Sequence, residues 1–312
     1  MTDEATVPVA QPEPPIDETR MSTCPLCGSN GEFEMAEPDR YLGIDPEVTH
    51  PYYICRLCSH HYQPVVPAQR LLSYYPPSYY SSDRSGGLRR TFAGLRQWRR
   101  ARAVEWRASK GRAIDVGCGR GLVLVQLKEL GWDVVGMDWN AENARAVAER
   151  LGIPVVAGPE GLRTLAPNSF DAASLFHVLE HEQQPLELLS QVHRLLKPGA
   201  RLLVGVPNWA SAARRLFGRN WMGYDFPRHR QVFTPGSLRA ALDRTGFRVD
   251  RLTGRLSDEL IDLQRSSRMM LREHGIRPPI LVAVTAIGAA MLVIVPRLFG
   301  QQSVIYAYAR RQ

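Results

Sequence analysis

The chain has 312 residues, 44% of them hydrophobic, enough for one sizeable buried core and a small accessory module. With five cysteines and no basic, apolar stretch at its start it does not read as a secreted disulfide scaffold, so a cytoplasmic protein is expected. A formal net charge of +8 leaves room for an anionic partner or surface.

Residues 1–20 repeat Pro, Glu, Asp and Gln and hold few large apolar side chains, so they cannot offset their ordering entropy and are expected to form a disordered tail. Two Cys-x-x-Cys pairs follow, Cys24/Cys27 and Cys55/Cys58, with Gly28 favourable for a tight turn after the first. Each such knuckle presents two sulfurs on one turn, which suits tetrahedral thiolate coordination of a structural zinc. Two disulfides or a redox dithiol are the alternatives; a reducing compartment disfavours the first and duplication of the pair the second. His60 and His61 come next, but four thiolates need neither. Residues 21–66 are therefore expected to be a small zinc ribbon.

Residues 67–110 form a connector. Tyr74, Tyr75, Tyr79 and Tyr80 surround two prolines, and their rings either pack the ribbon onto the main domain or face a ligand. Leu88, Phe92, Leu95 and Trp98 then recur near helical spacing among nine Lys or Arg between residues 88 and 112, against the single acid Glu105. A solvated helix face is the ordinary reading of such charge; its excess also suggests an anionic neighbour.

The main domain alternates strands, expected at 112–116, 133–138, 154–157, 171–177, 200–206 and 247–253, with helices near 121–130, 141–151 and 185–196. After the first strand, Gly117, Gly119 and Gly121 allow backbone to turn with positive φ and approach a ligand at the start of a helix. Asp138 ends the second strand, placed to accept hydrogen bonds from a ribose diol. Glycines spaced Gly-x-Gly-x-Gly disfavour a nicotinamide dehydrogenase, whose turn reads Gly-x-Gly-x-x-Gly.

Residues 113–121, reading Ala-Ile-Asp-Val-Gly-Cys-Gly-Arg-Gly, resemble motif I of class I S-adenosylmethionine-dependent methyltransferases. The resemblance continues in family order through Phe170-Asp171, residues 176–181 (Phe-His-Val-Leu-Glu-His), 194–199 (Arg-Leu-Leu-Lys-Pro-Gly) and 206–208 (Val-Pro-Asn), and covers about residues 71–255. It extends to a bacterial subgroup with an N-terminal zinc ribbon, in which a tyrosine-rich stretch like residues 74–80 closes over the cofactor. The implied fold is α/β, a doubly wound Rossmann-like methyltransferase sheet in residues 111–256 and 301–312.

The resemblance also implies a site. Asp115 and the turn Gly117-Cys118-Gly119, with Gly121 behind it, would hold the amino-acid end of S-adenosylmethionine. Asp138 would hold the ribose, Trp139 would pack on adenine, and Phe176 and His177 would lie beneath the methyl donor. Family members often place an acid after strand three; Glu160 is the substitute here. His181 is the first candidate base and His229 the second, while a helix-capping or Glu180-paired structural role is the plain alternative for His181. His177, Glu180 and His181 align with a Glu-x-x-Glu-His metal site of some methyltransferases, with the first acid replaced. The stretch 227–235 resembles the substrate-side loop of enzymes of sugar, polysaccharide and lipid pathways. Its arginines either clamp a phosphate or carboxylate or are solvated, and Thr234 reads as a helix N-cap before Pro235.

Residues 257–300 are expected to be a basic and apolar helical insertion. Sixteen residues from Ile280 to Val295 lack a charge, and at 1.5 Å each they reach about 24 Å, short of the ~30 Å hydrocarbon core. Residues 303–310 alternate like a final sheet strand, so both ends of the insertion must return to one side. A helix dipping into the inner leaflet through 280–299 is therefore expected, helped by Arg265, Arg268, Arg272 and Arg277; a buried core helix is the alternative. Acceptors expected are a sugar, glycan precursor or lipid-associated small molecule, with RNA, bound through the ribbon and basic surface, as the competing class.

Overall fold

The computed structural model describes residues 21–44, 46–75, 88–105, 110–273, 275 and 301–312. The expected tail, the apolar run 280–295 and Tyr79 and Tyr80 lie outside the described residues.

Seven strands make the main sheet, in the order β11-β12-β9-β8-β5-β6-β7. They are β5 (Arg112–Val116), β6 (Asp133–Asp138), β7 (Val155–Ala157), β8 (Phe170–Phe176), β9 (Leu196–Pro207), β11 (Phe247–Thr253) and β12 (Val304–Arg311). The five from β5 to β9 run parallel, and β12 lies antiparallel between β9 and β11. Runs such as Ala113–Val116 are buried because both sheet faces are covered, which is why they are apolar without alternation.

The crossovers carry α3 (Leu122–Glu129), α4 (Ala141–Leu151), α5 (Gly158–Thr164) and α6 (Pro185–Leu195), and α8 (Pro235–Arg244) precedes β11. Local chemistry sets their ends. Asn140 accepts from the Asn143 backbone N–H to start α4, and Thr234 with Ser237 forms a reciprocal cap before Pro235 to start α8; each cap is worth about 1 kcal/mol. The turn of α5 follows directly on β7 and was not expected, because two glycines and a proline in seven residues read as loop.

The ribbon comprises β1 (Ser22–Thr23), β2 (Asn30–Pro38), β3 (Thr49–Ile54) and β4 (His61–Tyr62). Its sheet has a fifth member, β10 (Gln231–Val232), which pairs with β4 from the segment after β9. The ribbon is thus continued by the segment after β9 and does not end as a unit at residue 66.

Two further helices bring side chains to the carboxyl ends of β8 and β9. In α2 (Leu88–Val104) two members of the expected apolar face, Leu95 and Trp98, are each 44% exposed, while Gln97, Arg100, Ala101 and Val104 are buried. Ala101 and Val104 join the core beside α3, and Arg100 is drawn inward over the Phe176 ring at 4.9 Å. α9 (Leu256–Glu273) is the described part of the expected insertion; its Glu259 accepts from the Ser303 backbone N–H at 2.5 Å and hydroxyl at 2.7 Å, at the entry to β12. Among the described residues no helix is long and apolar enough to cross a membrane.

Candidate active site

The first turn is built by β5 and held by β6. The Asp138 carboxylate accepts from the Gly119 backbone N–H and from the Asn140 backbone N–H, each at 3.0 Å. Gly117 has φ +70°, and a Cβ there would sit 2.4 Å from Val178, so only glycine closes the turn. Gly121 has φ +68° and caps α3; its missing Cβ makes room for Leu151 and Val147, a packing role within the fold. The Cys118 side chain is buried beside Gly136 and its N–H donates to the Met137 carbonyl at 2.8 Å. The Cys118 side chain therefore supports the turn from behind.

Asp115 is buried and accepts from the Ser174 hydroxyl at 2.6 Å. Burial pushes its carboxyl up to about 7, opposed by the Ser174 bond and the charge of Arg100. Burial also raises the Asp138 carboxyl, against the backbone hydrogen bonds that favour its ionised form.

A cavity of about 540 Å³ opens over this turn, lined by Gly117, Asp138, Trp139, Asn140, His177 and His181 among others. Trp139 is 38% exposed at its wall, which leaves part of its indole accessible from the cavity. Glu160 lines the same cavity but is held by Arg163 at 2.9 Å. A second cavity of about 340 Å³ is lined by Arg96, Arg100, His177, His181, His229 and Asp262 among others. The two cavities share His177 and His181.

These imidazoles sit on a turn that the backbone sets aside. His177 follows β8 with φ +57°, and its Nδ1 is 3.0 Å from Glu180 Oε1 within the 3-10 turn Leu179–His181. Burial works to raise the Glu180 carboxyl, yet the hydrogen bond and charge of His177, with His181 and His229 beyond, hold it below the usual range. His181 Nδ1 lies 3.1 Å from the Arg228 carbonyl and 3.0 Å from Tyr75 Oη. A carbonyl only accepts, so Nδ1 carries the proton and Nε2 keeps its lone pair. His229 Nδ1 is likewise 2.8 Å from the Gly223 carbonyl. Burial, and the neighbouring His229, hold the His181 imidazole down to about 4, so it is neutral at neutral pH. The two rings stand edge to face with centroids 4.8 Å apart. One ligand atom each of Glu180, His181 and His229 lie within 4.8 Å of one another. Phe176 supports this wall from below, 9% exposed and covered by the Arg100 guanidinium.

The arginines of residues 227–235 neither clamp a ligand nor face solvent. Arg228 is fully buried between Asp39 and Asp225, and Arg230 is buried with bonds to Gln63 and Pro64. Cations at the cavity come instead from Arg96 and Arg100 of α2 and Arg265 of α9. The Nε atoms of Arg96 and Arg100 are buried without a hydrogen-bond partner. The basic run 88–112 pointed to an anion, but its apolar spacing hid which arginines turn inward.

In the ribbon the four cysteines converge as the spacing implied. Cys24 Sγ lies 3.6 Å from Cys58 Sγ and Cys27 Sγ 3.4 Å from Cys55 Sγ; tetrahedral zinc with 2.3 Å bonds sets sulfurs about 3.8 Å apart. Both knuckles close alike: Gly28 N–H donates to the Cys24 carbonyl and Ser59 N–H to the Cys55 carbonyl, each closing residue at positive φ. His60 bonds Gln231 and His61 bonds Glu34 while stacking on Trp209, so neither is needed by the thiolates.

A mixed, mostly parallel sheet with a glycine turn clamped by Asp138 and a ligand-sized cavity beyond it defines a Rossmann-like fold. A methyltransferase domain family model matches residues 88–252, just over half of the chain, and the chain belongs to that family. It carries an S-adenosylmethionine-dependent methyltransferase domain. A ubiquinone biosynthesis O-methyltransferase of Xanthomonas euvesicatoria is 30% identical over 157 residues, 46% of this chain and 66% of the relative. The enzyme of the same name from Xylella fastidiosa is 31% identical over 158 residues, 47% of this chain and 64% of the relative. The chain thus spans just under two thirds of the curated relatives it matches. Solved structures that align include a methyltransferase from Archaeoglobus fulgidus, 22% identical over 70% of this chain and 93% of that one, with a TM-score of 0.49. Another is 1,6-didemethyltoxoflavin-N1-methyltransferase from Burkholderia thailandensis, 18% identical over 89% of this chain and 100% of that one, also at 0.49.

Proposed function

We propose that the protein transfers the methyl group of S-adenosylmethionine to a hydroxyl of a small sugar, glycan-precursor or lipid-associated acceptor. One observation carries this reading: the cavity over the glycine turn and the cavity lined by His229 meet at His177 and His181. Trp139, Asp138 and Gly117 bound the first, and the guanidiniums of Arg96 and Arg100 in the second offer N–H groups to an anionic carboxylate such as that of the cofactor's amino-acid end. When bound, the sulfonium supplies an already activated methyl, so the chain's task is to align the acceptor oxygen for in-line displacement. The acceptor's proton passes to the free Nε2 of His181 or His229, both kept as acceptors by the carbonyls on their Nδ1 atoms. The lipid-associated class draws support from the relatives named for ubiquinone biosynthesis. The RNA class draws less, because β10 covers the β4 edge of the ribbon and His60 and His61 are bonded inward.

A second reading of the histidine cluster is favoured by Glu180 Oε2, which is buried without a hydrogen-bond partner. With His181 and His229 it fits a divalent cation, which would polarise the acceptor oxygen; metal analysis finding a second metal beside the ribbon's would favour it. The four ribbon cysteines fit one structural zinc, with no open position for catalysis.

We also propose that residues 280–299 contact the inner face of the membrane. Arg265 lines the acceptor cavity, which leaves Arg268, Arg272 and Arg277 for headgroups. Calorimetry with S-adenosylhomocysteine, then labelled-methyl transfer to fractionated lipids, glycans and RNA, tests the reading; label entering RNA alone would reverse it. Salt-resistant sedimentation with membranes, lost when residues 279–298 are replaced by a short linker, is the expected mark of apolar contact.

A further inference from the structure

The ribbon reaches the acceptor wall through buried polar contacts that its own fold does not require. Arg228 is fully buried, with Nη1 2.8 Å from Asp39 Oδ2 and Nη2 2.8 Å from Asp39 Oδ1, a two-pronged pair from the ribbon's β2–β3 connection. Its Nε and Nη2 also donate to Asp225 Oδ1, at 2.9 and 2.6 Å. The backbone of the same segment is held from the ribbon side as well. Tyr52 of β3 donates its hydroxyl to the His229 carbonyl, and Gln63 Nε2 donates to that carbonyl at 2.9 Å. Gln63 N–H donates to the Arg230 carbonyl at 2.8 Å. The Arg228 carbonyl in turn accepts from His181 Nδ1, so three successive peptide units between the candidate bases are fastened to ribbon residues or to His181.

A lone guanidinium in a site this dry costs several kcal/mol, so Arg228 is tolerable only where Asp39 and Asp225 stand. The pair therefore fixes position more than it adds stability: Asp39 specifies where the loop sits, and the loop specifies where His229 sits and which tautomer His181 holds. Asp39 also accepts from the Tyr41 and Leu42 backbone N–H groups, which anchors the carboxylate in its own loop.

We infer that the ribbon is the positioning frame of the acceptor half, with Asp39, acting through Arg228, as the positioning residue for His181 and His229. The inference rests on the proposed roles of those imidazoles, but the placement itself is measurable without an acceptor. A ribbon in this role need not bind any ligand, and the metal held by its cysteines would reach catalysis only through the loop.

The test uses the full chain labelled with 15N-histidine, in which ring nitrogen shifts report the tautomer and environment of each imidazole. In Asp39→Asn the Arg228 pair loses its charge and one prong; His181 and His229 signals should shift and broaden, while S-adenosylhomocysteine affinity changes less than twofold. Tyr52→Phe, a milder change that keeps the packing, should move His229 more than His181. Glu32→Gln, which breaks only the exposed ribbon pair with Arg56, should move neither. Unchanged imidazole signals in both Asp39→Asn and Tyr52→Phe would overturn the inference. So would equal loss of cofactor affinity and of the His181 and His229 signals, since that marks a general structural role. Failure of the unaltered protein to bind S-adenosylhomocysteine would instead strike the proposed function and leave the frame standing.

Discussion

The two halves of the site are assembled on different length scales. On the cofactor side, Gly119 and Asp138 are 19 residues apart and joined by one strand–helix–strand unit. On the acceptor side, Asp39 meets Arg228 across 189 residues and Tyr52 meets His229 across 177. The first half is a property of a local pattern that any doubly wound sheet produces once the glycines are in place. The second exists only after ribbon, strand ends and the segment following β9 have docked. Damage to long-range contacts should therefore abolish transfer while sparing cofactor binding, whereas damage to the turn should weaken cofactor binding, and transfer with it, while leaving the acceptor half in place.

The largest expected effect is at the ribbon. Replacing Cys55 and Cys58 by serine should abolish binding of the one zinc proposed for the ribbon and unfold β1–β4, because so small a core has little stability without metal. β10 then loses its partner strand and Arg228 its Asp39. Methyl transfer should fall by about a hundredfold or more, the scale that misplacing catalytic groups by about 1 Å produces, while affinity for S-adenosylhomocysteine stays within a few-fold. Zinc retained in the double variant would break the comparison at its root. Next is Asp138→Ala, which should cost roughly 1.5 to 3 kcal/mol of cofactor binding, the scale of hydrogen bonds to a charged group. Because Asp138 also holds Gly119 and Asn140, Asp138→Asn should lose less. Unchanged affinity in the alanine variant would remove Asp138 from the cofactor site.

The same contrast explains what was legible in the sequence. β5, β6 and β11 fall on the expected residues, and Asp133–Asp138 and the glycine turn meet because their spacing leaves little choice. The cysteine knuckles were readable for the same reason, as each is a closed local turn. What could not be read was which arginines are buried. Arg228 sits in a polar, aromatic-rich stretch that looks like a surface loop; its burial needs Asp39, far away in sequence, beside the nearby Asp225. In α2 the apolar residues Leu95 and Trp98 suggested the packing face, but Arg100 has a partner in Asp258 at 3.8 Å and a ring beneath it, and those contacts orient the helix. Periodicity ranks residues by transfer to an apolar phase, and a charge with a buried partner is invisible to it.

The smallest expected effect is a pH dependence confined to the cofactor half. Asp115 lies fully inside the fold, and burial lifts its carboxyl from the usual 3.8 to about 7. A group raised in the folded state favours folding most while both states are protonated, below about pH 4, and that contribution is lost as pH rises through 7. The unliganded protein should therefore lose stability more steeply than Asp115→Asn between about pH 4 and 7, with no further difference in slope above that window. Should the cofactor's positive charge bind beside Asp115, as the resemblance implies, it would draw that carboxyl toward its ionised form. S-adenosylmethionine affinity should consequently rise with pH, by up to about tenfold between pH 6 and 8, with protons released on binding below pH 7. Calorimetry in buffers of different ionisation enthalpy measures that release directly. In Asp115→Asn the release should vanish and the affinity profile flatten, whereas Asp39→Asn should leave both intact. A proton release that survives in Asp115→Asn would mean the titrating group is another, and the pH signature would no longer separate the two halves.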